Sequence, residues 1–173
     1  MKTITWNFSV LLFFFSLEGQ SQEKATHRGK GGRGMPEEQR SVIHHLFQSH
    51  ESITRSVELN KTGYTAKTTS KDPKISKALQ THVAQMKARL KQGFGVRNWD
   101  PAFAEFREHY DALEISIENV EHGILVTVSG KNPKAVQVAQ NHAKIISGFV
   151  KDGPAKMHKT HPKAGQPESK KLN

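Results

Sequence analysis

The chain has 173 residues, no cysteine and a formal net charge of +10, from 26 Lys+Arg against 16 Asp+Glu. The lack of thiols excludes disulfides, thiolate metal sites and lipid attachment at cysteine, so stability has to come from core burial. Between Met35 and Gly153 the balance is 16 basic against 13 acidic residues, so most of the charge lies in the ends and not on the body.

Lys2 is followed by an apolar run from Ile4 to Leu17 and then by Gly19, Gln20 and Ser21. That order is the layout of a secretory signal peptide over 1–21 and predicts an exported, periplasmic or secreted protein with no membrane anchor after cleavage. Residues 22–34 (QEKATHRGKGGRG) and 154–173 (PAKMHKTHPKAGQPESKKLN) are poor in apolar side chains. Both read as disordered basic ends, because they cannot bury enough surface to offset their ordering entropy.

The body, 35–153, contains one unit written twice, as 35–93 and 97–153, at a shift of 60 positions. Gly63 falls on Gly123, Pro73 on Pro133, Gln80 on Gln140, His82 on His142 and Gly93 on Gly153. Each unit opens with an amphipathic helix. Pro36 precedes the stripe Val42, Ile43, Leu46, Phe47 and His50; Asp100-Pro101 precedes Phe103, Phe106, Arg107 and Tyr110. The period then changes to two: Ile53, Val57 and Leu59 alternate with Thr54, Ser56 and Glu58, and Leu113, Ile115 and Ile117 with Glu114, Ser116 and Glu118. Turns at Gly63 and Gly123 lead into second strands, Tyr64 to Thr69 and Ile124 to Ser129. Asp72-Pro73 and Asn132-Pro133 supply caps for the closing helices, whose stripes are Ile75, Leu79, His82, Met86 and Leu90, and Ala135, Ala139, His142, Ile146 and Val150.

The pattern predicts a single α+β domain of two α-β-β-α repeats related by a pseudo-twofold, with four antiparallel strands and the helices on one face. The other face carries Thr54, Ser56, Glu58, Thr65, Lys67, Glu114, Ser116 and Glu118 and is expected to be solvated; if it is covered, a homodimer through it is the expected cause.

The run His45, Leu46, Phe47, His50 and Ile53, the SKDP before the second helix, HVAQM at His82 to Met86, NWDPAF at Asn98 to Phe103 and the closing HAKIISGFVKDG resemble exported bacterial proteins with this duplicated layout. The resemblance covers roughly residues 40–153. It implies the domain limits and brings no activity with it.

Ten histidines without a cysteine direct attention to imidazole ligation. His27, His158 and His161 lie in the ends and His122 in a turn, so solvation is expected for these. His82 and Met86, one turn apart, could share an ion with His50, and His45 and His142 are further candidates; such a His/Met set would suit copper or haem. The competing expectation is that a histidine on an apolar stripe packs and hydrogen-bonds, and that Met86 fills core. Catalytic signatures (GxSxG, HExxH, a phosphate loop) do not occur in the sequence, so a non-enzymatic domain is expected. A second expectation is an interaction module for acidic envelope polymers, using Lys156, Lys159, Lys163, Lys170 and Lys171 without sequence-specific nucleic-acid recognition.

Overall fold

The structure is a computed structural model that describes residues 34–167; the signal-peptide reading, most of the basic arm, Lys170 and Lys171 lie outside the described residues. Its elements run α1 (Glu37–Gln48), β1 (Thr54–Asn60), β2 (Gly63–Thr69), α2 (Pro73–Lys91), α3 (Pro101–Glu108), β3 (Leu113–Val120), β4 (Gly123–Gly130) and α4 (Pro133–Asp152). This is the α-β-β-α unit used twice. The opening helices end earlier than their stripes suggested: His50 and Tyr110 begin short 3-10 turns, His50–Ser52 and Tyr110–Ala112, that swing the chain into the strands. Asp72 caps α2, Asp100 caps α3 and Asn132 caps α4, each accepting from backbone N–H groups of the first turn ahead of a proline at its start.

The sheet order is β1-β2-β4-β3 and every pairing is antiparallel. In the central ladder Ala66 stands opposite Val126, the same position of the two copies, so the pseudo-twofold passes between them. The repeated residues then explain themselves. Gln80 donates to the Gly123 carbonyl at 3.2 Å, and its copy Gln140 donates to the Asn60 and Gly63 carbonyls at 2.9 and 3.4 Å. Gly130 N–H donates to Thr62 O and Ser70 N–H to His122 O, both at 2.8 Å, again as a reciprocal pair. Each copy is therefore tied to the other's hairpin.

Tyr64, Ala66, Thr68, Ile124 and Val128 are buried and face the helices, while Thr54, Ser56, Glu58, Lys67, Glu114, Ser116 and Glu118 are exposed on the opposite face and Thr65 half-buried there. Small residues line the underside of α4, where Ala135, Ala139 and Ala143 are fully buried. Tyr64 and Val128 belong to the same cluster, with Phe106 of α3, so large residues on the strands fill the space that small ones leave on the helix. A second cluster joins Leu46, Ile53, Ile75 and Leu79, with Val150 of α4 against it. Among the described residues no helix is long and apolar enough to cross a membrane.

Residues 154–167 correct the expectation of a disordered C-terminal end. After a 3-10 turn, Gly153–Lys156, the chain runs back over α3 and α4 as a strap, and Ala164 is buried in the main core cluster. Composition missed this because the strap is held by a few buried polar anchors and not by apolar surface of its own.

Candidate functional site: a one-copy polar cluster beside a groove

The strap's anchors are carboxylates on α3. Asp100 is fully buried and accepts from His161 N–H at 3.1 Å, His161 Nδ1 at 2.8 Å and Arg97 at 3.2 Å, besides capping its own helix. Arg97 also donates to the carbonyls of Met157 at 2.6 Å and Lys159 at 2.8 Å, and its guanidinium lies 4.2 Å from the ring centre of Trp99 and 5.0 Å from that of Phe149. Glu105 accepts from Ala164 N–H and pairs with Lys134, both at 2.7 Å, and Asn141 holds the Pro162 carbonyl at 3.1 Å. Asp100, read from the sequence as a helix cap, is a cap and a clamp at once. His161, expected in water, is packed on Phe149 and Asp100.

Beneath α4 lies a second polar constellation. Arg55 occupies an inward position of β1, between Ile53 and Val57. Its Nε donates to Ser147 Oγ of α4 at 3.3 Å, and one terminal nitrogen donates to Thr68 Oγ1 of β2 at 2.7 Å. Ser147 in turn donates to the Ala143 carbonyl at 3.0 Å. Tyr64 lies beside the guanidinium; burial pushes its hydroxyl up to about 12, against the pull of the cation. Burial lowers Arg55 as well, yet a guanidinium keeps its charge in any protein environment. Among the described residues no carboxylate pairs with it.

The duplication supplies an internal control. At the positions equivalent to Arg55, Tyr64 and Thr68 the second copy has Ile115, Ile124 and Val128, and in place of Ser147 the first copy's helix has Lys87, which reaches out to the Ile115 carbonyl at 3.2 Å. Apolar side chains thus satisfy the fold at this location once. The polar set in the other copy is not demanded by packing, and drawing a cation half out of water without a counter-ion costs stability.

An open groove of about 640 Å³ runs beside this cluster, between the edge strand β1 and α4. Val57 and Leu59 form one wall, Gln140, Lys144 and Ser147 the other, and Ala164 of the strap borders it. Among the described residues no acidic one lines it. Leu59, 58% exposed, is one of two large apolar residues left in solvent among the described residues. The groove and the strap adjoin α4; Ser147, which lines the groove, accepts from Arg55, and Arg55 itself is not among the lining residues.

The histidine candidates are placed apart by function. His45 is exposed on α1. His50 Nδ1 bonds the Val150 carbonyl at 3.1 Å, and its ring packs so closely on Gly153 that a side chain there would collide with it. His142 lies 4.2 Å from the Phe106 ring and 5.4 Å from that of Phe103. His82 Nδ1 is shut off from water with no hydrogen-bond partner among the described residues, and Met86 is half-buried a turn away. Among the described residues no three His, Cys, Asp or Glu side chains come together as a metal-holding group. Of the strap lysines, Lys156 pairs with Asp152 at 3.6 Å and Lys163 with Glu108 at 3.5 Å, while Lys159 is exposed.

Burial lowers His82 to about 4, and burial together with the Arg55 cation lowers His142 to about 3, from an ordinary 6.5. Both rings are neutral in the folded state, so below pH 6.5 the unfolded chain takes up protons that the folded one refuses. Stability is then unaffected by these groups above pH 6.5 and falls as pH drops towards 4, by on the order of 3 kcal/mol for each ring. Denaturant titrations between pH 7 and 4 should show this loss, and His142→Leu should remove about half of it. A His142 ring titrating near 6.5 by NMR would contradict the assignment.

Sequence reasoning missed Arg55 although a signal existed: it sits in an inward register slot and its copy is an isoleucine. No protein-family model, curated protein or solved structure matches the chain.

Proposed function

We propose that this is a non-enzymatic binding domain for organic anions, with the groove between β1 and α4 as its site and Arg55 as the charge that selects the ligand. The observation that carries this is the half-buried Arg55 cation, unpaired with any carboxylate among the described residues and present in only one of two equivalent positions. Of its five N–H donors, Ser147, Thr68 and Tyr64 engage at most three, and Ser147, which it holds, lines the groove. Lys144 adds a second positive charge along the groove, and the Val57 and Leu59 wall suits an apolar ligand body. Binding is favoured over catalysis because the Ser147 hydroxyl is spent on the Ala143 carbonyl and has no base beside it. Export belongs to the same proposal and rests on the Lys2 to Ser21 layout.

The test is a thermal-shift and calorimetric comparison of benzoate and phenyl phosphate with benzyl alcohol and benzylamine. The two anions should raise the melting temperature of the wild-type protein and leave Arg55→Ile unmoved, while the neutral and cationic analogues do nothing. Equal responses of wild type and Arg55→Ile would overturn the reading.

A second reading has one observation in its favour. The unpartnered, buried Nδ1 of His82, held neutral, is a ready ligand for a copper ion or haem with the Met86 sulfur one turn on. Untagged protein carrying stoichiometric copper or a haem band, lost in His82→Ala, would support it; colourless, metal-free protein that ignores added copper would reject it.

A further inference from the structure

Resting on the anion reading of the groove for the charge of its occupant, we infer that β1 is a docking edge for an extended acidic peptide, which adds to the sheet as a further strand and sends a carboxylate between β1 and α4 towards Lys144. The hairpin register defines the edge. Asn60 and Gly63 close the β1–β2 turn across Lys61 and Thr62, and the pair flanking a two-residue turn exchanges both of its hydrogen bonds. Bonded pairs recur at every second residue, so Glu58, Ser56 and Thr54 turn their backbone groups to β2, while Arg55, Val57 and Leu59 turn theirs away from the sheet. The far side of β2 has the same phase, since Thr62 and Ser70 bond across to Gly130 and His122. β1 is an outermost strand, and among the described residues no helix or strap backbone bonds Arg55, Val57 or Leu59.

The duplication again supplies the comparison. On the other edge, β3, the outward carbonyl of Ile115, the counterpart of Arg55, accepts from Lys87 Nζ at 3.2 Å, and a lysine there blunts the edge. The counterpart of Lys87 is Ser147, whose hydroxyl is spent on the Ala143 carbonyl, so β1 lacks that guard. Charge then decides the occupant. Lys144 is exposed, lines the groove and enters no ion pair among the described residues. Alternate side chains of an added strand fall on the helix side of the sheet, level with Val57 and Leu59, which line the same groove as Lys144. Glu58 is exposed on the opposite face and cannot serve Lys144 from within. A second copy paired through β1 would bring the Lys144 and Arg55 of both protomers to one seam with no acid in either lining, whereas an acidic peptide supplies the missing charge.

The probes are acetylated, amidated heptapeptides of threonine with glutamate, glutamine or lysine at the centre, titrated into the full chain and read by amide chemical shifts. The glutamate peptide should shift the amides of Arg55, Val57 and Leu59 and bind about ten-fold more tightly than the lysine one, and Lys144→Glu, at an exposed position, should reverse that order. Val57→Pro removes an outward N–H that the ladder does not use, and should abolish binding with the fold kept by circular dichroism. Methylating alternate peptide nitrogens asks the same question of the unaltered protein: one alternate set should abolish binding and the other leave it. Glutamate-peptide binding indifferent to both methylated sets would overturn the inference. So would a concentration-dependent dimer of the peptide-free chain that Val57→Pro dissolves, because a second copy would then hold the edge. No peptide binding beside an Arg55-dependent response to benzoate would overturn this inference and leave the anion reading intact; no response to peptides, benzoate or phenyl phosphate would overturn both.

Discussion

Replacing Asp100 with alanine is expected to cost the domain about 3–5 kcal/mol, because it leaves two donors of opposite origin stranded at a fully buried point. Among the described residues Asp100 is the sole carboxylate against Arg97 and His161, and it also caps α3 through Ala102 N–H. Its loss removes an N-cap, worth about 1 kcal/mol by itself, and leaves the Arg97 guanidinium without a counter-charge among aromatic rings. The strap should then detach, since His161 and the Met157 and Lys159 carbonyls are all gathered by this one cluster. Equilibrium denaturation measures the first effect and amide exchange of residues 157–165 the second. A loss below 1 kcal/mol with strap protection retained would show that the clamp is ornamental.

Gly123→Ala is expected to cost about 3 kcal/mol for an unrelated reason. A Cβ on Gly123 would strike the Thr68 carbonyl of the neighbouring central strand, and one on Gly63 would strike that of Val128, its copy. Both glycines exist so that β2 and β4 can pair across the pseudo-twofold, and the obstacle is backbone that cannot rotate away. Gly63→Ala should therefore behave alike. Gly148 in α4 offers the control, since nothing lies within 4 Å of its added Cβ and alanine there should gain about 0.5–1 kcal/mol. Unfolding curves of the three variants decide it; a near-neutral Gly123→Ala would mean the ladder tolerates spreading.

The repeat made most of the frame readable. Apolar alternation gave the strands, Asp-Pro and Asn-Pro gave the helix starts, and the positions shared at a shift of 60 turned out to be those that bind one copy to the other, such as Gln80 and Gln140 on opposite hairpins. What stayed hidden has two physical causes. The strap is ordered by Asp100 and Glu105, roughly 60 residues earlier in the chain, and composition over a window cannot report a contact at that distance. Arg55 was passed over because one charge in an alternating strand reads as a break in the pattern; only the fold shows its partners Ser147 and Thr68 closing over it. The histidines at 82 and 142 do face inward as their stripes suggested, but His142 meets Phe103 and Phe106, neighbours that periodicity cannot name.

The central claim is that Arg55 and its partners serve a ligand and not the fold, and the stability of Arg55→Ile/Tyr64→Phe/Thr68→Val tests it most directly. These changes strip the polar groups while keeping bulk close to the residues the other copy uses, Ile115 and Val128. Unfolding in urea at neutral pH should show the triple variant more stable than wild type by about 1–4 kcal/mol, as when buried charges are exchanged for well-packed apolar groups. A triple variant less stable than wild type would mean that the cluster holds the domain together, and the account of the site would fail.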